Sequence, residues 1–263
     1  MDAISTAPPA TRAGRLVSAM AWPGAGGWLR VALIAAIAAA LAAAALDFAV
    51  SEGLVDRAVK LEAATGGHQQ VDAPGKALAV PQPFGRKAQH GGLVIAELVY
   101  GAGVAFLLAG VAAVVGPGKR RPRAPRRFLL TTIGAFAFAS FVLPAVTYPP
   151  LPPGAETLRG ISERQLLYLG LLALGLAGAA GAAFILGQPQ LRRAERVTLA
   201  AAALAGTLAV ALFGFPDDPL AAPYPDPVLL DRFRAAAIGS QALFWAVLAA
   251  AAWWLLRPRS AAR

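Results

Sequence analysis

An all-α protein threaded six times through a membrane is the architecture this sequence predicts, and three observations carry that prediction. The composition is 57% hydrophobic and only 14% charged, with a mean hydropathy of +0.59, a balance that would leave a soluble domain with an insoluble surface. Six apolar stretches, each near the ~20 residues an α-helix needs to cross hydrocarbon, recur between clusters of charge and proline, over residues 28–50, 91–115, 128–147, 165–187, 197–215 and 233–256. Alanine and leucine dominate these stretches without the alternating polar pattern of a barrel strand, so backbone pairing inside lipid has to be helical.

Charge sets the orientation. Arg12 and Arg15 precede the first stretch, six basic residues follow the second (Lys119, Arg120, Arg121, Arg123, Arg126, Arg127), Arg192, Arg193 and Arg196 follow the fourth, and Arg257, Arg259 and Arg263 end the chain. Only Asp2 and Glu195 oppose them, whereas the remaining segments carry slightly more acid than base. Lys and Arg stay cytoplasmic, so both termini are expected there and the number of crossings is even. The net charge of +10 is thus a topological signal. In a soluble protein the run at Lys119 could read as a nucleic-acid patch; here topology accounts for it and no nucleic-acid partner is implied.

Taken in order, residues 1–27 form a polar tail rich in Pro, Ala and Gly, and Trp28 anchors the first span at the interface. That span is too long for the apolar core of a cleavable signal and is expected to remain uncleaved. The outer segment 51–90 begins with Leu54, Val55, Ala58, Val59 and Leu61 among charges, the pattern of a short amphipathic helix lying on the membrane, ended by Gly66 and Gly67. Pro74, Pro81 and Pro83 make the rest irregular. In the third span Pro144 cannot donate a hydrogen bond, so the carbonyl of Ser140 loses its usual partner, giving either a plain kink or a carbonyl that lines a cation path. Gly175, Gly178 and Gly181 in the fourth span offer a flat face for close helix contact. Residues 257–263 form a basic tail.

Two outer segments look alike. Tyr148-Pro149-Pro150-Leu151-Pro152-Pro153 follows the third span, and a stretch with Pro216, Pro219, Pro223, Pro225 and Pro227 follows the fifth; both should be stiff and extended. Each leads to an acidic-Arg pair at the mouth of the next helix, Glu163-Arg164 and Asp231-Arg232. This likeness suggests that spans three-four and five-six are two copies of one hairpin, with spans one-two a diverged third.

Ionisable residues inside apolar spans cost about 2.5 to 3.5 kcal/mol at the centre on insertion scales, so each invites a functional reading. Glu97 is the main candidate: seven residues after His90, it shares a helix face with it two turns deeper. A cation could meet one and then the other, or Glu97 could be tied structurally to Gln241 or an arginine. Asp47 and Glu52 place two carboxylates at the outer end of the first span, and Asp217, Asp218 and Asp226 make the second outer loop acidic enough to concentrate divalent cations. Each of these sets is equally explained by solvation, as is His68.

Enzyme signatures are missing. There is no cysteine, which removes disulfides, thiolate metal sites and cysteine nucleophiles together. The two histidines lie outside or at the edge of the spans and cannot hold a haem between helices. No P-loop, GxSxG, HExxH or dinucleotide fingerprint occurs, so ATP hydrolysis and the corresponding catalysis are not expected, and no tightly bound cofactor is implied.

Three stretches carry a family resemblance: QHGGLVIAELVYG from Gln89, YPPLPPG from Tyr148 with RQLLYL from Arg164, and YPDPVLLDRFRAAAIGSQALFW from Tyr224. Together they resemble the predicted cobalt transporter subunit family known as CbtA, with the last stretch the most specific and the resemblance covering most of the chain. The resemblance implies a bacterial inner-membrane protein linked to vitamin B12 synthesis, with a small one-span partner bearing a histidine-rich end. Co²⁺ accepts imidazole and carboxylate ligands, which suits His90, Glu97, Asp47, Asp217 and Asp218 as metal-handling residues. Tyr148, Pro149, Arg164, Asp231, Arg232, Arg234 and Gln241 fall in the family's motifs. Arg164, Arg232 and Arg234 stand at the positive ends of the fourth and sixth helices, where Glu163 and Asp231 are expected to offset them as caps, the alternative being an anionic solute. The leading expectation is a membrane subunit of a divalent-cation uptake system, cobalt being the transported ion. A non-transporting scaffold whose proline loops dock another membrane protein is the alternative, and a carrier of small organic anions a third reading.

Overall fold

The computed structural model describes residues 24–64, 70–71, 77–78, 86–115 and 125–257. Most of the N-terminal tail, His68, Pro74, Pro81 and Pro83, the basic residues from Lys119 to Arg123 and the last six residues lie outside the described residues. Six helices long and apolar enough to cross a membrane occur among the described residues: α1 (Ala25–Ala64), α2 (Arg86–Val115), α3 (Pro125–Thr147), α4 (Ile161–Leu186), α5 (Arg193–Gly214) and α6 (Pro227–Leu255). The protein is therefore an all-α, multi-pass membrane protein. Between α1 and α2 a two-residue antiparallel pair, β1 (Gln70–Val71) with β2 (Ala77–Leu78), is the only described sheet.

The helix α1 is the centre of the bundle. Its alanines Ala32, Ala35, Ala36, Ala39, Ala40 and Ala43 are buried against α2 and α6, because a face of methyl groups lets backbones approach closely. The approach is closest at Gly101, where an added Cβ would stand 3.1 Å from the carbonyl of Ala36. Phe244 on α6 fills the remaining space, its ring 5.1 Å from that of Tyr100 and 5.4 Å from that of Trp245. At the end of the bundle where α1 begins, Trp28 meets Phe128 edge-on at 5.9 Å. Arg126 there donates to the carbonyl of Leu256 at 2.8 Å and lies 4.7 Å over the Trp253 ring, so one member of the basic run ties α3 to α6.

The helices α3, α4 and α5 pack on this centre as an outer layer, α3 against α6 and α4, and α5 against α4. Gly175 and Gly178 are the contact points. A Cβ on Gly175 would fall 2.5 Å from Cα of Ala139, and one on Gly178 would overlap Thr207 on α5. Gly181 has open space around it, so the flat face is two glycines long rather than three. The expected hairpin duplication is not found: α3 and α4 pack together, but α5 sits on α4 while α6 sits on α1.

Two spans contain a turn of π-helix, Asp47–Ser51 in α1 and Phe138–Val142 in α3. The second immediately precedes Pro144, and the widened turn accommodates the proline with no break in the helix. Beyond the first, Glu52–Ala64 continues α1 without interruption. The apolar residues of this expected amphipathic segment, Leu54, Ala58 and Leu61, pack with Leu151, Leu220, Tyr224 and Leu230.

The two proline-rich loops are joined to each other. Leu158 N–H donates to the carbonyl of Pro219 at 3.2 Å, Ala221 N–H to that of Glu156 at 2.9 Å, and Tyr148 Oη to that of Pro216 at 2.8 Å. Tyr224, 7% exposed, closes the group by donating to the carbonyl of Pro153 at 3.3 Å. The first loop turns at Gly154, whose φ of 76° and close approach to Glu62 both suit glycine.

Candidate functional site

Polar side chains gather where the π-turn of α1 meets α2 and α6. Asp47 is 7% exposed and accepts two hydrogen bonds, from Ser51 Oγ at 2.7 Å and from Ser240 Oγ of α6 at 2.9 Å. Glu97 of α2 is near enough for its charge and that of Asp47 to repel, and its Oε2 is buried with no hydrogen-bond partner. Neither Gln241 nor an arginine takes that oxygen, contrary to the structural reading of Glu97. Nearer the loops, Nε2 of His90 lies 2.9 Å from Oε2 of Glu52, and the His90 ring meets Phe48 edge-on at 5.9 Å.

His90 and Glu97 therefore share a face of α2 as expected, but each faces a different acid of α1: His90 meets Glu52, and Glu97 neighbours Asp47. The result is an imidazole-carboxylate pair at the outer tier, with Asp47 and Glu97 within electrostatic range of each other deeper in the bundle. Among the described residues no three His, Asp or Glu side chains converge as a finished metal site, so this is a column of separate ligands rather than a cage.

The loop acids behave differently from expectation. Asp218, its side chain 2% exposed, holds Nε of Arg164 at 2.8 Å. Asp217 is exposed, and its carbonyl accepts from Arg159 Nε at 3.1 Å. Glu163 pairs with Arg159 and not with Arg164. At α6 the cap is Asp226, accepting from Leu229 N–H at 3.0 Å, while Asp231 and Arg232 are exposed. Glu163 and Asp231 are thus not the caps that offset the helix-end arginines; Asp218 and Asp226 fill the two roles. Nε of Arg234 is buried with no hydrogen-bond partner.

Beside the carboxylates, a cavity of about 280 Å³ runs between α2, α3, α4 and α6 to the first proline loop, lined among others by Tyr100, Ser140, Tyr148, Tyr168 and Gln241. The Ser140 carbonyl expected to be freed by Pro144 is there, and Tyr168 Oη donates to it at 3.0 Å. Burial pushes the Tyr148 phenol above its ordinary value, which keeps it a neutral hydroxyl. Sequence reasoning missed Tyr100, Tyr168 and Ser240 as site residues. All three lie in the stretches quoted for the family resemblance, beside residues that were singled out, and that adjacency was the available signal.

Six apolar helices with one buried carboxylate, Asp47, among them define a multi-pass membrane protein. The family model described as "Probable cobalt transporter subunit (CbtA)" matches residues 27–257, and the chain belongs to that family. No curated protein and no solved structure matches it.

Proposed function

We propose that this chain is the membrane-spanning subunit of a cobalt uptake system serving vitamin B12 synthesis, with its termini in the cytoplasm of a bacterium and its proline loops outside. The ion moves inward by exchanging ligands, from His90 and Glu52 at the outer tier to Asp47 and Glu97 at the inner one. One observation carries this reading: Asp47 is buried in an apolar bundle, and a second carboxylate within its electrostatic range, Glu97, has a buried oxygen with no hydrogen-bond partner. Two neighbouring carboxylates in hydrocarbon repel and are desolvated, so a divalent cation is the natural counter-charge. Imidazole and carboxylate together suit Co²⁺, and separate tiers hold it weakly enough to release it. The word subunit in the family's description supports a partner, and a small single-span protein with a histidine-rich end would deliver the metal to the loops.

Cobalt uptake by cells expressing the chain with its partner tests this. Asp47→Asn and Glu97→Gln should each lower uptake by about tenfold to a hundredfold, the scale on which groups around a metal act, and His90→Ala should lower it less. Unchanged uptake in both carboxamide variants would overturn the path.

The scaffold reading draws on the joined proline loops, which make a firm platform, and on the lack of a three-ligand site among the described residues. It predicts that the partner copurifies with either carboxamide variant and that the chain moves no cobalt when reconstituted.

A further inference from the structure

The polar groups in the lining of the cavity between α2, α3, α4 and α6 are hydroxyls and one amide, set among Phe141, Pro144, Ala145, Pro150, Ala237 and Ile238. Three of its hydroxyls already donate their only proton to a backbone carbonyl: Ser140 Oγ to Phe136 at 2.7 Å, Tyr168 Oη to Ser140 at 3.0 Å and Tyr148 Oη to Pro216 at 2.8 Å. A hydroxyl carries one donor and two acceptor lone pairs, so what each has left to offer is oxygen lone pairs. Gln241 adds an amide, whose oxygen is a further acceptor. No lysine or arginine lines this space. An anion would find few donors in it, whereas a cation, or the outward-pointing hydrogens of its water shell, would find acceptors on several sides.

Placement adds to the chemistry. Tyr100, in the lining, is one turn from Glu97 on α2, and Gln241, in the lining, follows Ser240, which holds Asp47. The cavity and Glu97 thus share α2, and α6 carries both Gln241 of the lining and the serine that holds Asp47 of α1. Its volume of about 280 Å³ exceeds the ~30 Å³ share of a single water roughly ninefold, enough for an ion that keeps most of its first shell.

We propose that this cavity is a vestibule for a hydrated divalent cation, holding the ion by its waters before Glu97 and Asp47 replace them. The proposal rests on the transport reading for its direction, while the cation preference of the cavity is a property of its own. Tyr168 and Gln241 act as acceptors to the water shell, and Tyr100 stands where the ion passes to the carboxylates.

The absence of cysteine makes the test direct. Ala237 lines the cavity, and Ala237→Cys gives the full chain a single thiol there; Ala145→Cys, also in the lining, serves if the first variant does not fold. Val228→Cys, on an exposed residue at the loop end of α6, is the reference. Each is treated with a trimethylammonium and a sulfonate methanethiosulfonate reagent of similar size. The cationic reagent should be favoured in the cavity by about tenfold over the ratio at Val228→Cys, the focusing expected of a cleft with one sign of potential. Equal ratios at the two positions, or no reaction at either cavity thiol in folded protein, would overturn the vestibule. Cobalt uptake by the unsubstituted chain with its partner separates the two ideas. If uptake is present and the reagent preference absent, the vestibule fails and the transport reading stands. If the preference is present and uptake absent, the cation cavity stands and the transport reading fails.

Discussion

The two layers of the bundle handle polar groups in opposite ways. In α3 and α5, which lie in the outer layer, Thr131, Thr132, Ser140 and Thr207 each donate to the carbonyl four residues earlier on the same helix, at 2.7 to 2.9 Å. In the central layer Ser240 of α6 donates instead across the bundle to Asp47 of α1, 193 positions away in sequence. A hydroxyl in a membrane helix can satisfy itself locally, whereas the Asp47 carboxylate takes one donor from its own helix, Ser51, and a second from a neighbour, Ser240. The Ser240–Asp47 bond between helices accommodates a charge, whereas the bond from Tyr168 of α4 to the Ser140 carbonyl of α3 joins neutral groups. The outer layer achieves its contacts with glycine, at Gly175 and Gly178, and carries no buried acid within its spans; the one buried acid beside it, Asp218, lies in the loop after α5.

If that contrast is functional, the largest effects on cobalt uptake belong to the centre. Asp47→Asn keeps an oxygen for one serine and removes the charge, and uptake should fall by about tenfold to a hundredfold with the protein still folded. Thr132→Val, an outer-layer change of similar size, should leave uptake within about twofold, since it removes only a local bond worth roughly 1 kcal/mol. Comparable losses in the two variants would break the comparison. Stability should sort the other way. Gly175→Val forces α4 away from the Ala139 backbone and should cost about 1–3 kcal/mol, seen as lower melting of the detergent-solubilised protein, whereas Gly181→Ala, in open space, should be neutral or slightly stabilising. Next in size, Arg164→Gln should destabilise by about 1–2 kcal/mol by leaving the Asp218 charge buried, the loss being moderated because Arg164 remains partly exposed. Adding Asp218→Asn to it should restore part of the loss.

The number of spans, most of their limits apart from the end of α1, which runs on to Ala64, and the expectation that His90 and Glu97 share a face were legible because each depends on local period and composition. What was not legible depends on which helices meet. Asp47 and Glu52 sit one turn apart in sequence and look like a pair, yet they meet different partners, Ser240 of α6 for Asp47 and His90 of α2 for Glu52. Asp218 looks like a solvated loop acid until α4 brings Arg164 to it. The likeness of the two proline loops suggested a repeat, but the loops meet at Thr157 and Leu220 while the helices they connect pack differently. The Glu52–Ala64 pattern was amphipathic for covering by protein loops, and periodicity cannot distinguish that from covering by lipid headgroups.

The smallest effect is the sharpest test of what Asp47 is for. Ser240→Ala removes one of two donors to Asp47 while Ser51 still reaches the other oxygen at 2.7 Å. A single hydrogen bond to a charged group should therefore be lost, about 1.5–3 kcal/mol before any water replaces the hydroxyl and nearer 1 kcal/mol if one does. In a double-mutant cycle with Asp47→Asn, stability should show a coupling of about 0.5 kcal/mol or more, as expected of touching residues. Uptake should respond differently: Ser240→Ala leaves the carboxylate in place and slightly freer to bind a cation, so transport should be retained or raised. If uptake instead falls in step with stability in all three variants, Asp47 is a fastening between α1 and α6 and the ion takes another route.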